Sequence, residues 1–262
     1  MNLYKFFYHD YFDSIDFSSP DPGIIRSRNL QLVKFRKFKV IEAPPIVNTT
    51  IRLKVEYPGL LTGAGIQHAA GIDGEFKLGV HFDYTEGMPV VYGSSVKGVL
   101  RSLFKADKEY VADSLRRLLS KQEGELGDSL PWEELIPEEF IDCLEKNIFG
   151  SNDSSCSKEK GYEKDLFFDA VIVKPNRQGR ILSADILSPH KRGPLKNPVP
   201  IPFLRIASGV TMEFRFRLTD SVVFGRRITA DIKKKMFTYI LLLLGVGAKT
   251  NVGYGQLSRV SD

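Results

Sequence analysis

Three stretches of the chain hold residue types able to do chemistry. The first is Tyr92-Gly93-Ser94-Ser95-Val96-Lys97-Gly98, followed by Arg101. A helix opening here would present free backbone N–H groups and the positive end of its dipole. Lys97 in the first turn opposes that dipole by about 0.3 kcal/mol, which a bound anion would relieve. Lys97 and Arg101 are four apart, so they share a helix face and can reach one run of phosphates. The plainer reading is an ordinary helix cap beside a solvated lysine. The second stretch is the glycine-rich GVGAKTNVGYG loop, Gly245 to Gly255. It is not a Rossmann loop, because a helix precedes it and a strand follows. Nor is it a Walker A loop, since Ala248 replaces the glycine before Lys249-Thr250 and no helix follows. What remains is a flexible turn that brings backbone close to something, with Lys249 at its tip, and the plainer reading is a helix C-cap followed by a hairpin-like turn. The third set is the histidines His9, His68, His81 and His190. Such a residue can act as a general acid or base in metal-free RNA cleavage. His190 stands beside Lys191 and Arg192, which suits a phosphate. No zinc spacing such as His-Glu-x-x-His occurs, so no metal or other cofactor is expected.

These residues need elements to hold them. Thr49 to Tyr57 alternates apolar and polar residues, which predicts a strand with Ile51, Leu53, Val55 and Tyr57 on one face. Ser94 to Lys105 reads as a helix with Ser94 or Ser95 as N-cap and an apolar stripe of Val96, Val99, Leu100, Leu103 and Phe104. Helical patterns recur over Tyr110–Leu119 and Pro137–Asn147. Strands are expected over 166–174, 181–187, 201–207 and 210–219, with a turn at Ser208-Gly209. A helix over 229–244 should close on Gly245, and the last strand covers 254–260. Residues 1–45, aromatic-rich and punctuated by prolines, read as an irregular N-terminal extension. Without the insertions the order is strand, helix, strand, strand, helix, strand, an α+β, ferredoxin-like (RRM-like) arrangement. A single domain is expected over 46–262, with a helical insertion at about 106–165.

Charge divides the chain. Lys121 to Asp165 holds 13 acidic and 5 basic residues, while the rest holds 19 acidic and 32 basic. A basic body with an acidic insertion points to a polyanionic partner such as RNA. No run is long enough for a membrane span and the N-terminus lacks a secretory h-region, so a cytoplasmic location is expected. Cys143 and Cys156 are too few for a disulfide scaffold or a four-thiolate metal site.

The segment Gly87-Met88-Pro89 to Arg101 resembles the G-x-P-x-x-x-G-S-S-x-K-G-x-x-R pattern of the RAMP superfamily, the RNA-binding subunits of CRISPR effector complexes. Gly245–Gly255 resembles the C-terminal glycine-rich loop of the same superfamily. Ile148-Phe149-Gly150-Ser151, Leu166–Ala170, Asp185–His190 and Pro198–Leu204 are similar to the sixth-subunit branch of the type III-B (Cmr) complexes. Lys191 departs from the aromatic expected after the histidine. The resemblance spans roughly residues 50–260. It implies a RAMP fold and a non-catalytic role in antiviral defence, holding the 3′ part of the guide RNA against target RNA. It also implies contact with an adjacent RAMP backbone subunit, the small helical subunit and the first subunit of the complex. The expected RNA-binding residues are Gly93, Ser94, Ser95, Lys97, Arg101, His68, His190, Lys191, Arg192, Lys249, Thr250, Asn251 and Tyr254. A RAMP endoribonuclease that processes precursor RNA and a type III-A backbone subunit stand as the alternatives.

Overall fold

The computed structural model describes residues 1–63, 70–76, 79–126, 136–150, 164–187 and 200–260. The first 45 residues are not irregular throughout. They form α1 (Leu3–Tyr8) and α2 (Pro22–Val33), capped by the side chains of Asn2 and Asp21. Leu3, Phe6, Phe7, Tyr11, Ile25, Leu32 and Phe35 are buried in the same core as the sheet. The Tyr11 hydroxyl donates to Asn29 and accepts from the Phe76 N–H at 3.2 Å, which ties this region to the glycine-rich segment. A six-residue helix such as α1 is too short to show a period, and packing rather than propensity holds it.

The central sheet contains β1 (Thr49–Val55), β2 (Val90–Val91), β3 (Leu166–Phe167), β4 (Ala170–Lys174), β7 (Thr211–Arg217) and β10 (Leu257–Arg259). Its order is β10-β1-β7-β4-β2, with β3 also on β7, and every pairing is antiparallel. Ile51, Leu53, Val55, Met212, Phe214 and Phe216 are buried, and Phe216 meets Phe237 of α6 (Ala230–Leu244) at 5.6 Å between ring centroids. Tyr57 does not join this face: it lies past the end of β1 and is 82% exposed. Proline at 58 favours extended backbone before it but donates no ladder hydrogen bond, so the strand pattern stops short.

Two further differences concern strands. The run expected over 166–174 breaks at Phe168-Asp169, and Asp169 turns to another task described below. The turn at Ser208-Gly209 does not make a hairpin. Instead β5 (Leu182–Leu187) and β6 (Ile201–Ile206) pair as a separate ribbon, and the Gly209 N–H donates to the Val55 carbonyl at 2.8 Å. A short hairpin of β8 (Ser221–Val223) and β9 (Arg226–Ile228), turning at Phe224-Gly225, precedes α6.

Helix α3 (Gly93–Ala106) buries Val96, Leu100, Leu103 and Phe104, as its stripe predicts. Helices α4 (Lys108–Leu126) and α5 (Glu138–Phe149) pack beside it. Their described apolar residues, including Leu115, Phe140, Leu144 and Ile148, belong to the main core. Lys233 of α6 is wholly buried, with Nζ 2.6 Å from Asp165 Oδ2 and 2.8 Å from Ser221 Oγ. No described helix is long and apolar enough to cross a membrane.

Candidate nucleic-acid interface

The start of α3 is built from backbone contact. A Cβ on Gly93 would collide with the Phe167 carbonyl oxygen, so only glycine lets the helix approach β3 this closely. The Gly93 N–H donates to Asp169 Oδ1 at 2.7 Å. The cap therefore comes from a residue distant in sequence, in the break between β3 and β4, whereas Ser94 and Ser95 are exposed and the N-cap position is Tyr92. Lys97 is half-buried, its ammonium 5.9 Å from the Phe167 ring centroid in a cation–π contact. Arg101 pairs through Nε with Glu145 of α5. The two cations of this row thus face different surroundings, one an aromatic ring and the other a carboxylate. His81 stacks on Tyr92, with centroids 4.3 Å apart and an interplanar angle of 20°. Burial pushes the His81 imidazole below its ordinary pKa, although the charge of Asp169 acts the other way.

The glycine loop folds against the chain itself. Gly245, Gly247, Gly253 and Gly255 all have positive φ, and Lys249 is left-handed at φ 60°. A Cβ on Gly247 would strike the Leu61 carbonyl, and one on Gly255 the Val246 carbonyl. The Ala248 N–H donates to Leu61 O at 2.8 Å and the Gly255 N–H to Gly59 O at 2.7 Å. These glycines meet the protein's own backbone. Lys249 and Asn251 are exposed, while Thr250 is half-buried and its carbonyl accepts from Gln256 Nε2 at 3.3 Å. Tyr254 is buried against Phe203, and its hydroxyl donates to Asp185 Oδ2 at 3.0 Å. Burial first, then the bond and charge of Asp185, push the Tyr254 phenol up to about 12. Arg205 Nε lies 3.1 Å from the same Asp185 oxygen. His68, His190, Lys191 and Arg192 lie outside the described residues.

The two motifs do not converge. The start of α3 lies at Phe167, which pairs with Phe216, whose other neighbour is Thr49 at the first residue of β1. The glycine loop is bonded to Gly59–Leu61, beyond the last residue of β1. The seven residues of β1 therefore separate them, about 20 Å at ~3.3 Å per residue. Two helices packed against one sheet need not bring their loops to the same end.

A second basic surface escaped the sequence reading. Tyr57, Lys54, Arg177, Arg180 and Arg205 line a cleft of about 570 Å³, with Glu56 among them. Pro58 of the same wall lies 3.6 Å from where a Cβ on Gly253 would stand, so the cleft adjoins the glycine loop. Asn176 shapes one wall: its Oδ1 accepts from the Gln178 N–H at 3.0 Å and the Arg180 N–H at 2.9 Å. The signal was present as Pro175-Asn176-Arg177-Gln178-Gly179-Arg180, a turn signature carrying two arginines.

The family model of the RAMP superfamily matches residues 52–258. The chain belongs to the RAMP superfamily. Subunit Cmr6 of the CRISPR Cmr system of Pyrococcus furiosus is 27% identical to this RAMP chain over 278 aligned positions, covering 97% of it and 72% of Cmr6. Among solved structures, a chain of the type III-B Cmr-beta complex bound to cognate target RNA is 22% identical, with a TM-score of 0.47. It covers 81% of this chain, which spans 58% of that one. The crystal structure of Cmr6 from Pyrococcus furiosus is 23% identical with a TM-score of 0.44, covering 84% of this chain and all of that one.

Proposed function

We propose that this RAMP protein is a non-catalytic RNA-holding subunit of a type III-B (Cmr) CRISPR effector complex. Its RNA partners would be the guide and its target. Its protein partners would be an adjacent RAMP backbone subunit, the small helical subunit and the first subunit. The observation that carries this reading is Lys249, exposed on a loop bonded at both ends to the protein backbone, beside a cleft lined by arginines. A cation held in this way suits a phosphate contact, which positions RNA without reading its sequence. The basic excess outside the Lys121–Asp165 segment supports the same reading. The order β10-β1-β7-β4, with α3 between β1 and β4 and α6 between β7 and β10, supports a ferredoxin-like core with β2 added at one edge. The non-catalytic role is supported by two carboxylates already in use: Asp169 accepts from Gly93, and Asp185 is taken up by Tyr254 and Arg205.

The test is reconstitution with guide RNA and the other Cmr subunits, with RNA affinity measured at several salt concentrations. Lys249→Ala should weaken binding about equally for unrelated guide sequences and lower the salt slope of log K by about 0.7. Metal-free cleavage of repeat RNA by the purified chain, abolished by His81→Ala, would overturn the non-catalytic reading. Failure to join the Cmr subunits would overturn the assignment to that complex.

A further inference from the structure

We infer that the cleft beside the glycine loop holds one unpaired nucleotide of single-stranded RNA, its base stacked on Tyr57 and its phosphates on Arg177 and Arg180. This rests on the RNA-holding function proposed above and adds a site and a strand preference to it. Tyr57 is an aromatic side chain with 82% of its surface in water, on the wall of a cleft large enough for a nucleotide. Nothing in the core uses its ring, because Pro58 has taken the chain out of β1. An exposed ring at the mouth of a basic cleft is what a splayed-out base stacks on.

The cations in the cleft divide into two groups. Lys54 is paired with Glu56 at 2.8 Å, and Glu56 also accepts from the Ser258 hydroxyl. Both bonds hold the Glu56 carboxyl below its ordinary range, so it stays charged and keeps Lys54 occupied. Arg205 is committed to Asp185. Arg177 and Arg180 have no carboxylate partner among the described residues. The Nε–H groups of Arg180 and Arg205 are buried and find no hydrogen-bond acceptor among the described residues, although Arg205 remains ion-paired with Asp185. The walls thus offer a stacking surface and two uncommitted guanidinium groups, but a paired base could not leave its helix to reach the ring. The site therefore selects single-stranded over duplex RNA, and a guide or a target segment qualifies only where it is unpaired.

The experiment uses the full chain and fluorescence anisotropy with a single-stranded eight-nucleotide oligouridine and a blunt RNA duplex of the same length. Tyr57→Ala should weaken single-strand binding roughly 5- to 150-fold and leave the salt slope unchanged, with Tyr57→Phe retaining wild-type affinity. An Arg177→Ala, Arg180→Ala pair should weaken binding and lower the salt slope by about 1.4, two contacts' worth. Duplex affinity should not respond to Tyr57→Ala. Thermal melting serves as the folding control, and an 82% exposed side chain should leave it unmoved. Wild-type single-strand affinity in a folded Tyr57→Ala variant, with Lys249→Ala still weakening binding, would overturn the stacking site and leave the RNA-holding function standing. Absence of RNA binding by the wild-type chain and by its reconstituted complex would overturn both.

Discussion

Arg101 separates two accounts of the α3 row, and one substitution distinguishes them. By spacing it belongs with Lys97 on a face offered to phosphates; in the structure its Nε is bonded to Glu145 of α5. Arg101→Ala removes that partner. Glu145 keeps only 12% of its side chain exposed and Arg101 35%, so the pair lies between the surface and buried limits. Surface pairs contribute up to about 1 kcal/mol, and breaking a buried pair costs about 3–5 kcal/mol because a charge is stranded. The expected loss is about 2 kcal/mol, or a melting temperature lower by about 4–8 °C in a chain of this size. Glu145→Gln should cost less, about 1 kcal/mol, since the charge left unpaired, on Arg101, is the more exposed of the two and the amide oxygen can still accept from its Nε. The double variant should lose less than the sum of the two, with a coupling of about 1 kcal/mol. Thermal and denaturant melting of the four proteins gives these values, and anisotropy at several salt concentrations gives their RNA affinity. Arg101→Ala that melts like the wild type while losing about 0.7 in salt slope would refute the structural role and restore Arg101 as an RNA contact.

Lys233→Ala should destabilise by about 3–5 kcal/mol, because it strands Asp165 in a fully buried position; a melting shift under 2 °C would contradict this. Burial alone would raise the Glu213 carboxyl, but hydrogen bonds and charges from Arg52 and Arg215 outweigh it and hold the group below its ordinary value of 4.5. A depressed folded value adds stability above that pH and loses it as pH falls through the folded value. The wild type's advantage over Glu213→Gln in melting experiments should therefore shrink as pH drops below 4.5, and a constant difference from pH 7 to 3 would count against it. Gly98→Ala should raise stability by about 1 kcal/mol, since a Cβ there meets nothing within 4 Å and alanine is the better helix former. Gly247→Ala should do the opposite, because its Cβ strikes the Leu61 carbonyl and its φ is +91°. Equal melting temperatures for the two glycine variants would be inconsistent with open space at Gly98 and backbone contact at Gly247.

Local pattern was enough to locate β1, α3, α6 and the end of α6 at Gly245, because each carries a period or a cap within its own span. It was also enough to mark Gly93–Arg101 and Gly245–Gly255 as special and the body as basic. What those glycines touch was beyond it. A glycine signals close approach, but whether the approaching backbone is Leu61 of the same chain or a partner's depends on contacts some 190 residues apart in sequence. The cap on α3 was missed for the same reason: Asp169 reaches Gly93 only after β2 has paired with β4 and both β3 and β4 with β7. Tyr57 kept the alternation of its strand in sequence, yet the chain left the sheet before it, so a residue expected on the face of Ile51, Leu53 and Val55 became the most exposed large hydrophobic one among those described. Arg101 and Lys97 share a spacing, but Glu145 and Phe167, supplied by other elements, give them different work. Periodicity and turn chemistry act over a few residues and are written in the order of the chain. Charge pairing, backbone contact and the separation of the two loops along the length of β1 are long-range, and only the packed sheet and helices decide them.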